Sequence, residues 1–335
     1  MPRPTTALRA VVMVSLVSLI GIIGVSAAAQ ASAAQNGPKT APAAGTALPT
    51  RAKSPQGAKV TKVRRTRPVP GAAAAATPAI PVARAMYVWD TSDAQAVVAL
   101  ATSRGIGQLY AAVPAHVDSS PKLAELRALV TLAEASGLRV DALGGDPGWV
   151  DNPSAAVTSW LRPALATGLF TGVHVDIEPY NTPAWTKKRS TVVTKYLATL
   201  DAFRATAGST PLEADIPFWF NEIPANRSTF DREVMKRTDG VTVMAYRRLA
   251  SGVDGSIALS ANEVRAGAEL GVPVRIGQET NHLGDDPVSV KQSFYGGTMA
   301  QMEVQLDLVV GAYSGSPSFA GLAIHDAIGY AAIRD

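Results

Sequence analysis

Residues 170–180 read FTGVHVDIEPY, and this stretch decides the fold. Val173, Val175 and Ile177 alternate with His174, Asp176 and Glu178. A period of two belongs to a β-strand, in which side chains two apart share a face. One face is therefore apolar, and the other carries an imidazole and two carboxylates. Polar groups are costly to bury, so such a face meets either a site or fixed partners such as arginines or a helix N-terminus. Asp176 and Glu178 would lie roughly 6–7 Å apart along the strand, close enough to alter each other's proton affinity. One carboxylate can then stay ionised while the other holds a proton near neutral pH, as a general acid must.

Working outward, strand-like and helix-like segments alternate on both sides. Predicted strands cover 83–90, 106–113, 138–146, 171–179, 211–219, 240–247, 272–280 and 319–326. Amphipathic stretches lie between them at 93–103, 122–136, 155–167, 191–207, 230–237, 260–270 and 298–311. Gly105, Gly137, Gly168 and Gly271 stand where helices commonly end before the next strand. Eight such units in roughly 250 residues predict an α/β chain folded as a (β/α)₈ TIM barrel. The last helix has only Ala327 to Asp335 to form from. A doubly wound open sheet would show a Gly-rich phosphate turn after strand one, whereas this strand runs into Trp89-Asp90-Thr91.

The N-terminal quarter has a different character. Arg3 and Arg9, an apolar run from Val11 to Val25 and small residues to Ala34 describe a secretory signal peptide over 1–33. An uncleaved membrane anchor is the alternative, and both imply a secreted or cell-surface protein. Residues 34–82 are rich in Ala, Pro, Thr, Lys and Arg and poor in large apolar side chains. That composition predicts a disordered basic linker, either a plain spacer or a tether attracted to an anionic cell surface. The barrel is expected over 83–335.

Charge must be read after removing this segment. The whole chain has 31 basic and 27 acidic residues, a formal net charge of +4. Ten of the basic residues and none of the acids precede position 83, which leaves the remainder near −6. The basic balance therefore carries no signal for nucleic acid, and no basic stripe with interleaved aromatics appears. With no Cys there is no disulfide framework and no thiolate metal site. Neither a Gly-x-Ser-x-Gly elbow, an HExxH helix nor a Walker loop is present. No cofactor and no metal are expected.

In parallel barrels the sites are built at the C-terminal ends of the strands. Strand one ends in Trp89 and Asp90, strand three in Asp146 and Trp149, strand four in Asp176, Glu178 and Tyr180. Strand five brings Asp215 and Trp219, strand six Tyr246 and Arg247, strand seven Glu279 and strand eight His325. Carboxylates with indoles suit a carbohydrate, whose C–H faces pack on aromatic planes while acids bind hydroxyls and assist cleavage. Any one Trp is more often core packing. The expected partner is a polysaccharide or oligosaccharide.

GVHVDIEP resembles the strand-four signature of the family 18 glycoside hydrolases, the chitinase-like barrels, with its Asp-x-x-Asp-x-Asp-x-Glu pattern. On that register Glu178 corresponds to the general acid and Asp176 to the carboxylate that orients a substrate acetamido group, itself the nucleophile. Tyr246 in Val-Met-Ala-Tyr resembles the strand-six tyrosine of that family. Thr171 and His174 stand where the pattern has its first two acids, and Arg247 where an acid often follows the tyrosine. A second resemblance is to the clan A retaining glycosidases. There Glu178 would be the acid/base and Glu279 the nucleophile, with about 5–5.5 Å between the carboxyls. Both imply Glu178 as the proton donor and differ in the nucleophile; neither names a substrate, and the expected function is a retaining glycoside hydrolase acting on a cell-surface or environmental polysaccharide. His174, Asp215, Trp89, Asp90, Asp146, Trp149, Tyr180, Trp219, Arg247 and His325 are candidate substrate contacts. A non-catalytic chitinase-like glycan-binding barrel and a metal-dependent polysaccharide deacetylase are the alternatives.

Overall fold

The computed structural model describes residues 83–335. The predicted signal peptide and linker lie outside the described residues. Eight parallel strands close into a barrel. They are β1 Arg84–Val88, β2 Gln108–Ala112, β3 Arg139–Gly144, β4 Gly172–Val175, β5 Leu212–Pro217, β6 Gly240–Met244, β7 Val274–Glu279 and β8 Phe319–His325. Each pairs with its sequence neighbours, and β1 closes the ring against β8 through Arg84↔Leu322, Ala85↔Ala323 and Met86↔Ile324. The expected (β/α)₈ architecture is present, and Ala327–Ala332 supplies the short last helix after β8.

Alternation along the strands sorts residues into two layers. Met86, Val88, Leu109, Ala111, Val173 and Val175 belong to the large apolar cluster packed under the helices. Ala85, Tyr87, Tyr110, Leu143 and Ala323 form a separate small cluster. Tyr87 on β1 meets His174 on β4 at 5.6 Å between ring centroids, a contact between non-adjacent strands that can only cross the lumen. The lumen is thus filled by aromatic and ionic side chains instead of the branched aliphatic layers usual in such barrels.

The helices form where caps and periodicity dictate. Asp93 accepts from Ala96 N at 2.9 Å to start Ala94–Ser103, and Thr298 with Gln301 forms a capping box for Met299–Tyr313. The helix Ser256–Leu270 ends on Gly271 at φ 71°, a left-handed cap that a side chain would strain. The predicted helix 155–167 is broken into Pro153–Ala156, a π turn Val157–Leu161 and Arg162–Ala166. Pro163 cannot donate to the carbonyl four residues back, so the coil widens there and that carbonyl, Ser159 O, accepts from His116 N at 2.6 Å. The hairpin Pro224–Ala225 with Ser228–Thr229, and the helix Pro287–Gln292, were not expected.

Candidate active site

The hydrogen-bonded strand β4 is shorter than its hydrophobic pattern. It stops at Val175; Asp176 N still donates to Gly144 O at 2.9 Å, and Glu178 then opens a 3₁₀ turn over Pro179–Asn181. Close passage of β3 requires glycine, since a Cβ on Gly145 would stand 2.0 Å from Asp176 O. Glu178 is buried, and its two oxygens accept from the Tyr180 hydroxyl and, at 2.6 Å, from Asn181 Nδ2. The acid is thus aimed by the two residues that follow Pro179.

Asp176 is the electrostatic focus. Burial holds its carboxyl well above the usual range, reinforced by the charges of Asp215 and Glu178 and opposed by His325 and His174. Its Oδ1 is buried with no hydrogen-bond partner. Tyr246 faces the same group: burial, then Glu279, Asp215, Asp176 and Glu178, push its phenol far up, so it stays a proton donor. Gly277 on β7 makes room for this ring, because a Cβ there would lie 3.0 Å from Tyr246 Cε1.

Below Asp176 lies an ionic layer. His174 Nε2 is 3.0 Å from Asp215 Oδ1, which also accepts from the Tyr87 hydroxyl. Glu213 accepts from Tyr110 Oη at 3.0 Å and pairs with Arg275 Nη1 at 3.4 Å. Burial alone would raise Glu213, but His174, Arg275 and Tyr110 outweigh it and bring it down to about 2. Arg275 Nη2 continues to Gln108 Oε1 at 2.8 Å, and Gln108 Nε2 to Asp141 Oδ2 at 2.5 Å.

At the end of β7 the arrangement is different. Glu279 Oε1 accepts from Thr280 N at 2.8 Å, Asn281 N at 2.7 Å and Asn281 Nδ2 at 3.0 Å. Its Oε2 lies 2.8 Å from His325 Nδ1. The Trp89 indole N–H donates to His325 Nε2 at 3.0 Å, which makes that nitrogen an acceptor and places the ring proton on Nδ1. Burial lowers the proton affinity of His325, but Glu279 first, then Asp326 and Asp176, lift it to about 10. That rise favours a second proton on the ring, whereas the indole N–H at Nε2 favours the neutral tautomer.

Of the residues predicted from sequence, Asp176, Glu178, Tyr246, Glu279, His325 and Trp89 converge at the mouth of the lumen, with Tyr180 holding Glu178, while Asp215 is buried in the layer beneath, held by His174 and Tyr87. His174 is a correction: it is completely buried beneath the mouth, a partner of the acids instead of a substrate contact. Asp90 and Asp146 are exposed and each caps its own turn, through Ser92 N at 2.9 Å and Gly148 N at 2.7 Å. Trp149 packs outside the barrel against Trp160 and Phe203 at 4.9 and 5.5 Å. Arg247 turns to Asp254 at 2.8 Å and to the face of Phe218, anchoring the loop after β6. Trp219, expected as a substrate contact, packs on Tyr180 at 5.2 Å and on Trp185 at 6.0 Å. Tyr87, Tyr110, Glu213, Arg275 and Asn181 were missed. The alternation Ala85, Tyr87, Trp89 on strand one was the available signal for Tyr87. Among the described residues, no group of three or more His, Cys, Asp and Glu is disposed to hold a metal ion.

No protein-family model matches the chain, and no curated protein matches its sequence. Solved structures do. One is a mutant GH18 chitinase from Cycas revoluta in complex with (GlcNAc)4, with a TM-score of 0.52 and 12% identity over 74% of this chain and 96% of that one. Another is a GH113 β-1,4-mannanase, solved as a complex, with a TM-score of 0.52 and 11% identity over 76% of this chain and 90% of that one. The chain has the fold of the TIM-barrel glycoside hydrolases. At such identities the likeness concerns the barrel, and the chemistry must be argued from the residues at its mouth.

Proposed function

We propose that this protein is a secreted, retaining glycoside hydrolase acting on a polysaccharide or oligosaccharide with N-acetylated sugars. Glu178 protonates the glycosidic oxygen, and the acetamido oxygen of the substrate attacks the anomeric carbon as the bond breaks. Water then opens the cyclic intermediate with Glu178 as base. Asp176 accepts the acetamido N–H and steadies the positive charge that develops on that group, and Tyr246 donates to the acetamido oxygen. The observation that carries the reading is the buried, unpartnered Oδ1 of Asp176 beside Glu178, an acceptor with nothing in the protein to accept from.

The state of Glu279 favours this route over a protein nucleophile. Its Oε1 takes three N–H donors and its Oε2 faces the His325 ring, so its charge is held by the turn, which weakens it as a nucleophile. Export rests on the signal-like N-terminus.

The test is hydrolysis of N-acetylglucosamine oligomers, the ligand class of the Cycas chitinase, against β-1,4-mannan oligomers. Wild type should cleave the former, and Glu178→Gln should lose about 10³-fold or more in kcat while still binding them. Full turnover in Glu178→Gln sinks the assignment. Binding of oligomers by wild type without any cleavage would move the protein to the glycan-binding class.

A further inference from the structure

The residue two before Asp176 has no surface to offer a substrate. His174 is completely buried on β4, stacked on Tyr110 at 3.8 Å between centroids and edge-on to Tyr87. Its Nε2 is 3.0 Å from Asp215 Oδ1 and 3.3 Å from Tyr87 Oη. Its Nδ1 is 3.6 Å from Glu213 Oε2, an ion-pair separation without a hydrogen bond. Each ring nitrogen faces a carboxylate, and only the doubly protonated ring presents an N–H to both. This is the opposite of His325, whose second nitrogen meets an indole donor.

We propose that His174 is a positioning residue for the reaction: a buried imidazolium that neutralises Asp215 and so lets Asp176 and Glu178 share one proton in the working pH range. The inference rests on the reading of Glu178 as general acid. The groups facing His174 are Tyr87 from β1, Tyr110 from β2, Glu213 and Asp215 from β5, and Asp176 just beyond the end of β4. Arg275 on β7 reaches it only through Glu213. Burial by itself would strip the ring of its second proton, but Asp215 and then Glu213 outweigh it and lift the affinity to about 10. After burial, the charge of Asp215 is the largest influence raising Asp176. Without the imidazolium that charge stands uncompensated, and every proton on the Asp176–Glu178 pair is held more tightly.

The decisive variant is His174→Gln, whose amide keeps an N–H for Asp215 but carries no charge. Carboxyl ¹³C titration of the full chain, with Asp176 assigned through Asp176→Asn, should show Asp176 releasing its proton about one pH unit or more higher in His174→Gln. On a cleaved substrate both limbs of the kcat/KM profile should move up with it, and KM should not change. A role in packing alone would lower kcat equally at all pH values. An unmoved Asp176 titration overturns the proposal, and it does so without any turnover, so this failure is separate from a failure of the Glu178 assignment. Should His174→Gln not fold, the imidazole ¹⁵N shifts of wild type decide: two protonated nitrogens at about pH 7.5 support the proposal, and one overturns it.

Discussion

The ends of β4 and β7 each present carboxyl groups at the mouth of the same lumen, and they are built for different tasks. At β4, Asp176 keeps one buried oxygen without a partner and sits among like charges. At β7, Glu279 is wrapped by two backbone N–H groups, the Asn281 amide and an imidazole. A carboxyl in the first state is poised to take a new hydrogen bond or share a proton; one in the second has spent that capacity on holding a turn. The lesson is that an acid at a barrel strand end is read by what its oxygens already hold. Position alone does not separate the two.

The comparison can be broken or sharpened by three changes. Asp176→Asn should lower kcat by about 10²-fold or more with folding intact, because the amide cannot bear the charge that steadies the reacting acetamido group. Equal activity of that variant and wild type would erase the special status of β4. Glu279→Ala should instead act on stability. Two backbone donors and the His325 N–H lose their buried acceptor, which costs about 2–3 kcal/mol, while kcat falls less than about tenfold. Azide should give no rescue; a large kinetic loss rescued by azide would make Glu279 the nucleophile after all.

The smallest effect belongs to a carboxyl remote from both ends. Glu263 is completely buried, its Oε1 accepts from Asn221 Nδ2 at 2.8 Å and its Oε2 has no partner. Burial, with the charge of Asp231, raises it from 4.5 to about 8. The folded state therefore holds a proton that the unfolded chain releases between these values, so its penalty is absent below pH 4.5 and grows as pH rises toward about 8. Glu263→Gln removes that penalty. Its melting temperature should match wild type below about pH 4.5 and rise progressively above it as pH increases toward 8. A constant difference across this range would show that Glu263 does not titrate there.

Much of the barrel was legible because it rests on local periodicity. The two-residue alternation of strands and the glycines after helices are properties of a few adjacent residues, and they placed all eight strands and the helix ends at Gly105, Gly137, Gly168 and Gly271. The break at the π turn before Pro163 was missed because the apolar spacing continues through it. Of the site, Asp176, Glu178 and Tyr246 were legible as polar or aromatic residues ending strands. Trp149, Asp90, Asp146 and Arg247 satisfied the same criterion and proved to be a packing ring, two turn caps and a loop anchor.

What the sequence determined by itself is the (β/α)₈ plan and the cluster of acids at strand four, since both follow from the identity and spacing of neighbours along the chain. Only the tertiary structure decided which acid has an unpartnered oxygen, what each imidazole faces and which face of each loop turns inward. Those properties depend on what stands across the lumen. Tyr87, His174, Asp215 and Arg275 come from four strands and meet only when the sheet closes, and proton affinity in a buried site is set by partners a few ångströms away, whatever their distance in sequence.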